Sequence, residues 1–193
     1  MTVSYPRRYI LGIGAAFASV ATLGGRAAAA PAAVGSGGAV RWDAAAADEV
    51  MQLLHQMHHA WNDGDLGFIK RSIADEGFVG TFELTGDEHA AVLNSRDELV
   101  AFVEQLFAEQ NAHGSRTEAS PNRSHQVRAT STFAICTEEC DLIERHADGS
   151  KHVLPHRGTS ALAKTEDGWK FVHWHVSQGG PERTYDAAGK RVA

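Results

Sequence analysis

The chain has 193 residues, 43% hydrophobic and 22% charged, the proportions of a globular protein with room for one domain of common size and not for two. Its formal net charge of -6 comes from acids spread along the chain, so no basic stripe exists to neutralise phosphates and nucleic acid is not expected as a partner.

Residues 1–30 read as an export signal. Arg7 and Arg8 precede an apolar, Gly/Ala-rich stretch from Tyr9 to Leu23, and small residues then favour cleavage after Ala29 or Ala32. Pro6-Arg7-Arg8-Tyr9-Ile10-Leu11, with Arg26 before the cleavage region, resembles a twin-arginine signal; a general secretory signal is the alternative. A membrane anchor needs about 20 strongly apolar residues, more than this stretch supplies, so the mature chain is expected not to be membrane-embedded. The expected location is periplasmic or extracellular. Removal of Arg7, Arg8 and Arg26 takes away three positive charges and no acid, moving the formal charge from -6 to -9.

Residues 31–45 are rich in Pro, Gly and Ala and read as a linker, followed by a domain over 46–180 and a polar tail over 181–193. Asp43 is a helix cap, and Val50, Leu54, Met57 and Trp61 recur at spacings of 4, 3 and 4, one stripe of an amphipathic helix that Asn62-Asp63-Gly64 ends. Asp65 caps a short helix through Ile69 and Ile73, and residues 77–84 have the Phe, Val and Thr content of a strand. Ser95-Arg96-Asp97-Glu98 is a capping box before Leu99, Phe102, Val103, Leu106 and Phe107, with Gly114 closing that helix. Strands follow at 123–129, 133–145, 151–165 and 169–177, with Asp148-Gly149 and Asp167-Gly168 as hairpin turns; Pro155 and Gly158 mark a bulge or bend. Helices first and a curved antiparallel meander last give an α+β fold whose helices cover one concave sheet face.

Cys136 and Cys140 are about 13 Å apart along an extended strand, beyond the roughly 7 Å limit for a disulfide, and should remain thiols buried as small apolar groups.

Asn62-x-Gly64-Asp65-Leu66, Phe78-Val79-Gly80-Thr81, Ser95-Arg96 and Asp167-Gly168-Trp169 leading to His173-x-His175-x-Ser177 together resemble the SnoaL-like branch of the nuclear transport factor 2-like superfamily. The last strand is also similar to the association domain of calcium/calmodulin-dependent kinases. The resemblance implies a cone-shaped, strongly curved antiparallel sheet on about three helices of the N-terminal half, the cystatin-like roll, commonly as a homodimer through the sheet. Aligned on ketosteroid isomerase, Thr81 stands at the general-base Asp and Met57 at the oxyanion Tyr, so that mechanism lacks both key groups here. Fold alone does not choose among the superfamily's activities.

Alternation puts Phe171, His173, His175 and Ser177 on one strand face, where His173 and His175 are a candidate catalytic pair able to move a proton near neutral pH. One of them packing at the dimer face or holding a backbone carbonyl is the competing reading. Arg157 can orient a carboxylate or enolate, or else pair with Glu139 or Asp141. Thr81, Glu83 and Ser177 are further candidate ligand contacts; Glu83, an acid near the mouth, is available as a base or is simply an exposed strand-end carboxylate, and Trp61 offers a flat wall to a cyclic ligand or simply fills the core. His55 and His59, at i, i+4 on the first helix with His58 between them, can meet a metal, but no acidic or His third ligand lies at motif spacing, so a solvated helix face is expected and no metal. Without a phosphate loop, nucleophile elbow or zinc-protease motif, no cofactor is expected. The expected function is binding of a small molecule in a conical pocket; cofactor-independent acid-base catalysis of the lyase, isomerase or cyclase type and a non-catalytic oligomerisation domain are the alternatives.

Overall fold

In the computed structural model the Asp43 carboxylate accepts from the Ala46 amide at 3.1 Å and starts α1 (Ala44–Asp63), whose stripe of Val50, Leu54, Met57 and Trp61 is buried. Gly64 ends it at φ 71, a left-handed conformation that glycine adopts without a Cβ clash. Asp65 then caps α2 (Leu66–Ser72), and the chain runs through β1 (Val79–Phe82) and β2 (Ala91–Leu93) into α3 (Arg96–His113). Ser95 Oγ accepts from the Glu98 amide, while the Glu98 carboxylate reaches back past the cap to the Asn94 amide. The remaining elements are β3 (Arg116–Ala119), β4 (Ser124–Ala129), β5 (Phe133–Arg145), β6 (Lys151–Thr165), β7 (Gly168–Gln178) and β8 (Arg183–Tyr185).

The structure describes residues 39–83, 91–120 and 124–192. The leader, the linker up to residue 38, Leu84 and Arg123 lie outside the described residues, and residues 41–193 form the unit described here. Among the described residues no helix is long and apolar enough to cross a membrane.

The strands make one eight-stranded sheet in the order β2-β1-β7-β6-β5-β3, with β4 also on β5 and β8 on β6. The α+β architecture is the expected one, and the hairpin turns fall at Gly149 and Gly168, both at positive φ. Two details differ. β1 pairs with β7 in parallel, because a strand arriving from α2 is not tied to β7 by a hairpin that would set its direction. The segment after residue 180, expected as a polar tail, supplies β8 to the sheet.

The ladder between β5 and β6 passes through Pro155 and Gly158 without a shift, so of the bulge or bend expected there no bulge is present. The irregularity lies between β6 and β7: Ala161 faces His173 and Leu162 faces Phe171, leaving Val172 as the extra residue. Phe171 and Leu162 are both fully buried, and beyond the bulge the alternation of β7 is reversed.

Candidate functional site

The inner face of the sheet and α1 enclose an apolar pocket of about 50 Å³. Met57 and Trp61 come from α1, Phe82 from β1, Trp174 and Val176 from β7, and Leu142 from β5. Phe82 and Trp174 meet edge to face at 5.5 Å, and Trp61 meets Phe107 of α3 likewise at 5.6 Å, which fixes the pocket's aromatic walls. The indole N–H groups of Trp61 and Trp174 are buried and find no acceptor among the described residues.

The polar side of this pocket is formed by Glu138, His156 and His58. His156 is fully buried, and its Nδ1–H donates to the Leu154 carbonyl at 2.9 Å, which sets the ring's tautomer. Glu138 is 8% exposed, an acid on the buried side of β5 in alternation with Ala134, Cys136, Cys140 and Leu142. It fits because Gly158 lies opposite it in the ladder: a Cβ there would come within 2.7 Å of Glu138 Cγ.

His58 of α1 and His125 of β4 each bring Nε2 to 3.2 Å from the same oxygen, Glu138 Oε2. Their rings stack at 5.7 Å with 14° between planes, and the His55 ring stands 5.7 Å from that of His125. Burial pushes the His125 pKa down, as do His58 and His55, against the opposing pull of Glu138. Burial, and secondarily Glu138, pushes the Cys136 thiol up to about 12. His58 also borders a second cleft of about 320 Å³ lined by His55, His59, Asn62, Ser120 and His125. The clip that holds this end of α1 is Asn62: its amide donates to the Ala119 carbonyl at 3.1 Å and accepts from the Ala119 amide at 2.7 Å. That gives the Asn of the Asn62-x-Gly64-Asp65 motif a structural role.

Of the residues singled out in the sequence, Trp61 lines the pocket, beside Met57. His173, His175, Ser177, Thr81 and Arg157 do come together, but on the opposite sheet face: His175 pairs with Thr81 and Thr159, and Ser177 with Arg157. The expected grouping of Phe171 with His173 is corrected, because the Val172 bulge turns Phe171 inward and both histidines outward. Arg157 is exposed and pairs with exposed Glu139 at 3.6 Å, an ion pair of the surface kind, while Asp141 holds Arg183 instead at 2.8 Å. Glu83 stands just past β1 and does not line the pocket.

Glu138, His125, His156 and Trp174 were not singled out from the sequence. The signal for Glu138 is legible as one acid within the alternation Ala134, Cys136, Cys140, Leu142, a face that otherwise reads as core. His125 meets it only through the pairing of β4 with β5, which places the two opposite each other. The third partner that the α1 histidines lack in sequence therefore arrives from the sheet, and it engages His58.

The arrangement can be set beside known proteins. Among curated proteins none matches the chain. Of solved structures, an NTF2-like protein of unknown function from Pseudomonas putida is 19% identical with a TM-score of 0.56, over 79% of this chain and 96% of that one. A proposed dehydratase of the NTF2-like family from Streptomyces avermitilis is 19% identical with a TM-score of 0.56, over 70% and 96%. A proposed scytalone dehydratase from Novosphingobium aromaticivorans is 13% identical with a TM-score of 0.57, over 72% and 85%. At these identities the likeness is one of fold. The family model for the SnoaL-like domain matches residues 50–180, and with the fold in agreement the chain belongs to the SnoaL-like family of NTF2-like domains.

Proposed function

We propose that this domain binds a small, largely apolar molecule carrying at least one acceptor oxygen in the pocket beneath α1. The two pocket-lining indoles carry the proposal. A buried donor left without an acceptor costs about 1–3 kcal/mol, and Trp61 and Trp174, which both line the pocket, each have one, so an occupant that brings oxygen acceptors would recover that cost. The apolar part takes one compact group, and the adjoining cleft, at about 320 Å³, is of the size usual for small-molecule sites at their lower end, about 300 Å³.

The test is a tryptophan-fluorescence titration of the full chain with cyclic ketones, phenols and aromatic carboxylic acids. Trp61→Phe keeps the wall and removes the donor, so affinity for the best compound should fall by about 2- to 10-fold. If no compound of these classes changes the emission, or if Trp61→Phe binds as tightly as the parent, the pocket proposal is wrong.

A second reading, acid-base catalysis, is favoured by the placement of two imidazoles on one carboxylate oxygen at the pocket's polar side. Two relatives by fold are described as proposed dehydratases, which fits a lyase type of reaction. Loss of turnover in Glu138→Gln with retained binding would support it.

We further propose export through the twin-arginine leader and a homodimer through the outer sheet face. The outer face carries Val79, Phe133 and Ile135 exposed beside Thr81, His173, His175 and Arg157, a mixed surface suited to a second copy. Light scattering of the parent and of Ile135→Glu tests the dimer, and fractionation with Arg7→Lys/Arg8→Lys tests the route.

A further inference from the structure

We propose that His58, His125 and Glu138 form a binding site for a divalent transition-metal ion, with zinc as its natural probe; this goes beyond the pocket proposal and does not depend on it. Three elements of the fold, α1, β4 and β5, each deliver one donor atom, and these atoms lie within 4.8 Å of one another. Each histidine Nε2 is 3.2 Å from Glu138 Oε2. Around a tetrahedral zinc with bonds of about 2.0–2.1 Å, neighbouring ligand atoms stand about 3.3 Å apart, so two edges of the required triangle are already in place. Two imidazoles and one carboxylate select zinc and its first-row neighbours over calcium or magnesium, which take oxygen ligands.

Electrostatics favours the same occupant. Glu138 is buried beside Met57, Trp61, Leu142 and Trp174, surroundings in which a carboxylate's charge needs close partners. Hydrogen bonding alone would need both rings to aim an Nε2–H at one oxygen. A dication uses the lone pairs of both rings and the carboxylate together, and it turns the local charge from negative to positive. The donors are pre-positioned by ring stacking and by the space that Gly158 leaves for the Glu138 side chain. The cleft of His55, His59, Asn62 and Ser120 provides a route in, and since three ligands converge among the described residues, a fourth position is open to water or to an oxygen of a molecule in the adjoining pocket.

The experiment uses the full chain stripped with a chelator and titrated with Zn²⁺, with metal content measured after desalting. One equivalent is expected. His58→Ala, His125→Ala and Glu138→Gln should each weaken binding by at least about 10-fold, and His55→Ala/His59→Ala should change it by less than about 2-fold. Failure to take up one equivalent overturns the proposal, as does unchanged affinity in the three single variants. Loss of binding in the His55/His59 double variant overturns it too, by assigning the ion to the i, i+4 pair on the helix.

Because a ligand variant can lose its fold, the Co²⁺ form of the parent is a second readout. Intense visible absorption of four-coordinate cobalt without thiolate charge transfer supports the site; a weak octahedral spectrum, or a thiolate band from Cys136 or Cys140, refutes it. Fluorescence titration of the metal-stripped chain with the organic panel is scored separately. Retained organic binding with no metal uptake ends the metal proposal alone.

Discussion

Replacing Gly158 with alanine should disturb the site through a single contact. A Cβ at this position would meet Glu138 Cγ and Oε1 at 2.7 Å and Cδ at 3.1 Å. Carbon atoms pack at about 3.5–4.0 Å, so the Glu138 side chain must be displaced by roughly 1 Å, away from the two histidines that hold its carboxylate. Overpacking on this scale costs about 1–3 kcal/mol, which for a domain near 150 residues lowers Tm by about 2–12 °C. Gly158 is not among the glycines with positive φ, so alanine meets no dihedral penalty there and by itself should stabilise by about 0.4–1 kcal/mol through the unfolded chain. The sign should therefore reverse once the carboxylate is removed. In a Glu138→Ala background, Gly158→Ala should be neutral or slightly stabilising, and the difference between backgrounds is the coupling energy. Urea denaturation of the four proteins measures it, with m required to stay constant. An equal cost of Gly158→Ala in both backgrounds would refute the reasoning and place the need for glycine elsewhere.

Both thiols should resist alkylation in the folded chain, since Cys136 and Cys140 are buried and unbridged and the Cys136 thiol titrates only near 12; two equivalents should react in denaturant, and prompt labelling of the native chain would contradict this. Glu49 accepts from the Lys164 ammonium and from Trp169 Nε1, which holds its carboxyl below the ordinary 4.5. A depressed carboxylate pKa stabilises the fold above the unfolded value and loses that contribution as pH falls through the folded value. Glu49→Gln should thus lower Tm at pH 7 and leave it unchanged in acid well below the ordinary value; an equal deficit at both pH values would count against the linkage.

Much of the fold was legible because it rests on local patterns. The α1 stripe, the caps at Asp43, Asp65 and Ser95 and the two glycine hairpins are decided within a few residues of chain, and the structure has them where the spacing puts them. The short strands β2 and β3 were not legible, since three or four residues carry no period of their own and are strands only by virtue of their partners. The parallel pairing of β1 with β7 is of the same kind.

The site was less legible than the fold, and one residue explains most of the difference. Strand alternation is a local rule, so it predicts which side chains share a face only while the ladder is unbroken; Val172, extra with respect to β6, breaks it in the strand that carries His173 and His175. Nothing in the sequence around Val172 distinguishes it as a bulge, because the bulge is a mismatch between two strands. By itself, then, the sequence determined the helices, the long hairpins and the apolar character of the pocket's α1 wall, all set by short-range periodicity and capping, while its motifs carried the resemblance to the family. Only the tertiary structure decided which face is the interior, and that His58, His125 and Glu138 meet there from segments 67 and 13 residues apart, since that meeting depends on strand register and on a glycine opposite the acid.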